Sequence, residues 1–147
     1  MQIVLAIIMA FVTIEAKAIE SLPCVPHGDC SDPCIYFRKN VVFIDNYKNA
    51  KLNLKGRIHD LSLKSRKEII KKQADAELVG DTTVAVYSDN SVSVTFTSKI
   101  LDTSCYYNKS GKYVPTESCC NGQSKVQLEV TTKYKKEVYK TIQYWGC

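Results

Sequence analysis

The cysteines constrain this chain more than any other feature. All seven (Cys24, Cys30, Cys34, Cys105, Cys119, Cys120 and Cys147) fall in two clusters, and the 70 residues between Cys34 and Cys105 contain none. In an oxidising compartment such cysteines pair. Bonds within a cluster would staple one end of the chain. Bonds between clusters would close long loops, each contributing about 4 kcal/mol in the chain-entropy view. Adjacent Cys119 and Cys120 are expected to take different partners, because a bond between them would strain the intervening peptide. An odd number leaves one cysteine over. Cys147 is the candidate, either free, capped, or joining two chains as a disulfide-linked dimer.

The oxidising compartment is read from the first residues. Gln2 to Ile14 is almost wholly apolar, yet too short to span a bilayer, which takes about 20 apolar residues. Ala16-Lys17-Ala18 then supplies the small-x-small pattern of a signal-peptidase site. Residues 1–18 are therefore expected to be a signal peptide, and 19–147 a single disulfide-stabilised extracellular domain. No later segment approaches spanning length, so no membrane span is expected.

Hydrophobic periodicity suggests the elements. Ile35 to Ile44 is rich in β-branched and aromatic residues, with a break around Lys39-Asn40, and a weaker strand follows at Lys51 to Ile58. From Arg66 to Val79 the spacing turns helical. Ser65 and Glu68 form a capping-box pattern, Ile70, Ala74 and Leu78 recur every four residues, and Gly80 stands where a C-terminal cap would fall. Alternation then returns. Val84 and Val86 lie on one side of a strand, Val92, Val94 and Phe96 on one side of the next, and Asp89-Asn90 forms a hairpin turn between them. A smaller hairpin is predicted over Tyr106 to Val114, and further strands at Val126-Leu128-Val130 and Val138-Ile142-Tyr144. The expected fold class is α+β: one amphipathic helix packed on an antiparallel sheet of four or more strands, with disulfide-stapled ends.

Residues for catalysis are sparse. The two histidines, His27 and His59, stand beside no local nucleophile signature. Cys24, Cys30 and Cys34, with His27, Asp29 and Asp32, lack the paired knuckles of a zinc site. No enzyme, cofactor or metal is expected. Asn108-Lys109-Ser110 is a glycosylation sequon, making Asn108 the candidate acceptor at a hairpin tip.

Charge is the more informative pattern. The formal net charge is +5. Nine basic residues lie between Lys48 and Lys72 against two acids, and the C-terminal stretch turns basic again among tyrosines and Trp145. Lys64, Lys67, Lys71, Lys133, Lys135, Tyr139 and Trp145 are the candidate partner surface, facing an extracellular protein or an anionic glycan. Nucleic acid is not an expected partner of a secreted chain. The functional expectation is a secreted, disulfide-rich binding effector without catalytic activity, of the venom or salivary toxin type, acting on an extracellular target. The alternative is a cystatin-like secreted protease inhibitor, suggested by element order alone.

Overall fold

A computed structural model describes Leu22, Cys24 and residues 33–72, 77–103 and 122–146. The expected signal peptide, the expected 106–114 hairpin, His27, Asn108, Cys30, Cys105, Cys119, Cys120 and Cys147 lie outside the described residues.

The described chain is all strand. β1 (Ile35–Phe37), β2 (Val41–Asp45), β3 (Asn49–Leu54), β4 (Arg57–Ile70), β5 (Thr82–Ser88), β6 (Val92–Thr103), β7 (Gly122–Thr132) and β8 (Lys136–Trp145) follow one another. Each pairs antiparallel with the next in one eight-stranded meander. The sheet curls until β1 approaches β8, where the rings of Phe37 and Tyr139 meet at 6.4 Å. No ladder pairs those two strands, so the barrel is nearly closed.

Turn chemistry sets the strand order. Lys39 and Asn40 take positive φ (62° and 57°) where the sequence suggested a break, dividing one expected strand into β1 and β2. Lys55 and Gly56 (φ 55° and 87°) form the two-residue connection from β3 to β4, the geometry of a type I′ hairpin. Asn53 Oδ1 accepts the Gly56 N–H at 2.8 Å. Asp89 closes the β5–β6 hairpin by accepting the backbone N–H groups of Ser91 (2.6 Å) and Val92 (2.7 Å).

The core lies inside the barrel. Phe43, Leu52, Leu61, Tyr87, Val94, Leu128 and Val130 are almost wholly buried, and Phe43 packs against both Phe96 and Tyr87. On β5 the inward face is Ala85 and Tyr87, while Val84 and Val86 stay half-buried on the outside. One disulfide, Cys24–Cys34, has a Cα separation of 5.4 Å and ties the segment before β1 to its start. This is a bond within the N-terminal cluster, worth roughly 3 kcal/mol in the chain-entropy view.

The expected α+β class is overturned, and with it the helix over Arg66 to Val79. Residues as far as Ile70 belong to β4, and no described residue after them is helical. The physical reason is pairing with β5, along which β4 has two register shifts, the first a β-bulge. Along β4, His59, Leu61 and Leu63 point inward at a period of two. Leu63 pairs with Tyr87, but Ser65 pairs with Val86, so Lys64 is an extra residue. The bulge shifts inward pointing from odd to even positions. The helical expectation rested on Ser65, Glu68, Ile70, Ala74 and Leu78; of these, Ser65, Glu68 and Ile70 instead pair with Val86, Thr83 and Thr82 of β5. Ladder bonds to β5 then override the local helical propensity of this lysine-rich stretch.

Candidate functional site

Beyond the bulge, β4 carries Arg66 and Glu68 to one end of the barrel. The β2–β3 turn, the start of β5, the end of β6 and the end of β8 meet there. Together they line an open cavity of about 390 Å³. Ile35, Phe96, Ile100 and Trp145 form apolar walls; Ser98, Ser124 and Gln143 add polar groups.

A bonded cluster crosses this mouth. Arg66 Nη2 donates to both carboxylate oxygens of Asp45, at 2.7 Å each, and to the Tyr87 hydroxyl. The Tyr87 hydroxyl donates in turn to Asp45 Oδ1. Burial first, then the bond and charge of Asp45, push the Tyr87 phenol up, so it remains a donor at any ordinary pH. Burial works against the Arg66 charge, but Asp45 and Tyr87 outweigh it and raise the guanidinium above its ordinary value. Tyr47, in a left-handed backbone conformation (φ 63°), lays its ring 4.9 Å from the guanidinium carbon. Its N–H donates to Asp45 Oδ1 at 2.9 Å. Arg66 Nε is buried and has no acceptor among the described residues.

Two further contacts shape the walls. Trp145 Nε1 donates to Ser124 Oγ at 2.9 Å. Its ring lies over Gly122, where an added Cβ would come within 2.2 Å of it. Asp81 accepts the N–H groups of Lys72 and Leu78 (3.0 Å each) and faces Lys71 at 3.6 Å. Burial opposes the Asp81 charge, yet these partners lower its pKa. The mouth carries four carboxylates, Asp45, Glu68, Glu77 and Asp81, against Arg66 and Lys71. Both cations face internal acids.

A second hollow, of about 500 Å³, lies at the β1–β8 seam. It is lined by six residues, chiefly the long charged side chains of Arg38, Lys39, Glu137 and Lys140. Such walls exclude little water. The mouth is therefore the better candidate site.

The residues singled out from sequence are divided between the ends. Lys71 and Trp145 line the mouth. Lys64 and Lys67 are exposed on the outside of β4. Lys133 and Lys135 sit on the β7–β8 turn at the opposite end, and Lys135 pairs with Glu137 at 3.1 Å. Tyr139 is buried against Phe37. Asp45, Arg66 and Tyr87 were not singled out. No local pattern marks them, since they come from three strands.

His59 is buried, with Nδ1 2.9 Å from Asp89 Oδ2. Ser91 Oγ approaches the same nitrogen at 3.5 Å. An activated serine would face the other ring nitrogen, and His59 lines neither cavity. The trio latches the β5–β6 turn to β4. Among the described residues no group of three or more His, Cys, Asp or Glu side chains could hold a metal ion, and no helix is long and apolar enough to cross a membrane. Compared with family models, curated proteins and solved structures, the chain matches none.

Proposed function

We propose that this chain is a secreted binding protein that takes a small amphipathic molecule into the open end of its barrel and does not transform it. The observation that carries the reading is the mouth itself. It is a 390 Å³ cavity with apolar walls and a pre-bonded Asp45–Arg66–Tyr87 cluster. Eight-stranded barrels enclose just enough room for side chains or one small ligand, and such sites combine apolar walls with a few fixed polar groups. Here Phe96, Ile100 and Trp145 would hold the apolar body, while Ser98 and the spare Arg66 N–H would meet a polar end. Secretion is supported by the N-terminal apolar run and the cysteine content. An effector of the venom or salivary type would then act by sequestering its target molecule. The cystatin-like alternative drew on a helix-on-sheet element order that the fold lacks.

Trp145 is the chain's only tryptophan, so its fluorescence reports on the mouth alone. Titration with a panel of small aromatic and alkyl amphiphiles should give a saturable change for some members. Ser98→Phe, which fills the cavity, should abolish it. A panel that leaves Trp145 unchanged, or a response that survives Ser98→Phe, would overturn the reading.

A further inference from the structure

The outer surface of the sheet treats its lysines unequally. Lys51 stands directly across from Asp60 in the β3–β4 register and bonds to it. Lys136 pairs with Glu129 at 2.7 Å, and Glu137 lies within 4 Å of both Lys55 and Lys135. Lys99 is different. Its cross-strand partner is Lys125, and both are exposed on the outer face. Like charges directly opposite one another in a ladder destabilise it. Lys140 lies opposite Gln127 on β8, one diagonal step from Lys125, and is also exposed. None of the three has an acidic partner among the described residues. The nearest acids by register are Asp102, opposite Gln123 and one diagonal step from Lys125, and Glu129, one diagonal step from Lys140 and itself bonded to Lys136.

Protection of a free edge accounts for Lys140 on the edge strand β8 but not for Lys99 and Lys125. Lysines blunt edge strands against unwanted pairing, but Lys99 and Lys125 lie on β6 and β7, each paired on both sides. Exposed Ile142 stands directly across from Lys125, and exposed Tyr144 lies two residues further along β8. The result is a surface on three adjacent strands where Lys125 stands about 5–8 Å from both Lys99 and Lys140, none of the three bonded to an acid among the described residues, with an exposed ring beside them. We propose that this outer face of β6–β8 binds an anionic, sulfated polysaccharide, whose regularly spaced charges offset the Lys99–Lys125 repulsion while a sugar face packs on Tyr144. This site is separate from the mouth and does not depend on it.

The test uses the mature chain on immobilised heparin. The triple variant K99Q/K125Q/K140Q should bind at least roughly tenfold more weakly near physiological salt, from the usual contribution of a lysine at an anionic surface. Its log–log salt dependence should fall by about one unit for each lysine removed. The charge-matched control K48Q/K64Q/K67Q should shift much less. Equal shifts in the two triples would show a net-charge effect and overturn the proposal. So would binding to phosphatidylserine vesicles without binding to heparin. Lys125→Glu separates folding from binding: it should raise the urea midpoint, by creating an opposite-charge pair with Lys99, while weakening heparin retention. A variant that is more stable and equally retained would also overturn the site.

Discussion

At the end of the barrel where β5 turns into β6, side chains fill the interior to its axis: Leu52, Leu61, Val94, Leu128 and Val130 are almost wholly buried, and His59 and Asp89 tie the rim. At the other end the walls continue but the filling stops, and charged groups stand where a core would be. The same strands run through both halves, so the difference lies in which residues each strand turns inward. In the filled half those residues are apolar and interdigitate. In the open half they include Asp45, Arg66, Glu68 and Thr83; Asp45 and Arg66 bond at the rim, and space is left between the walls. Stability resides in the first half, and a cavity can persist in the second because the first does not depend on it.

Mutations should expose this asymmetry, beginning with the largest effect. Phe43→Ala in the filled half should cost about 3–5 kcal/mol, seen as a fall in the urea midpoint. Ser98→Ala in the mouth should stay within roughly 0.5 kcal/mol. Comparable losses at the two sites would remove the distinction.

The bonded cluster at the mouth comes next. Asp45→Ala strips Arg66 and Tyr87 of a shared partner and should cost about 2 kcal/mol. The double variant D45A/R66M should cost less than the sum of its single changes, because the stranded guanidinium goes too. Additive losses would mean the cluster is not a unit.

A smaller effect belongs to the filled end and depends on pH. Burial alone would raise the Asp89 carboxyl, but the Ser91 backbone, His59 and the Val92 backbone outweigh it, bringing its pKa from an ordinary 3.8 down to about 2. A depressed folded pKa contributes stability that is fully present above the unfolded value. That stability, on the order of 1 kcal/mol once solvent screening is allowed for, is lost as pH falls from about 4 towards 2. Asp89→Asn should flatten this limb of the urea-midpoint profile. An unchanged slope would place the acid sensitivity elsewhere.

The last change is read optically rather than as a loss of stability. Gly122→Val drives a side chain into the space of the Trp145 ring. Its emission should move to the red as the ring is displaced into water; the added side chain also meets the Asp102 carbonyl oxygen, and about 1–3 kcal/mol should be lost. An unshifted spectrum would mean the ring and the wall are not in contact.

Much of the strand pattern was legible in the chain. The β5–β6 turn at Asp89-Asn90, the break at Lys39-Asn40 and the inward row Val126-Leu128-Val130 all follow from turn residues and a period of two, which act over a few positions. The β3–β4 turn was less legible, because Lys55 at φ 55° is not a residue that announces a left-handed conformation. β4 was misread because Ser65, Glu68 and Ile70 look like the start of a helix when read alone; only their pairing with Val86, Thr83 and Thr82 of β5 makes them a strand, bulged at Lys64. A bulge has no propensity signature of its own; it exists only against a partner strand.

Local chemistry determined that this chain would form strands, where most of them would turn, and that its N-terminal cysteines could be bridged, as Cys24 and Cys34 are. Only the tertiary structure decided that eight strands curl into one nearly closed barrel, that β4 changes face halfway along, and that Asp45, Arg66 and Tyr87 meet at an open mouth. Those outcomes depend on strand register, and they bring together side chains up to 42 residues apart. Register is a property of paired strands, set by long-range backbone bonds that no short window of sequence contains.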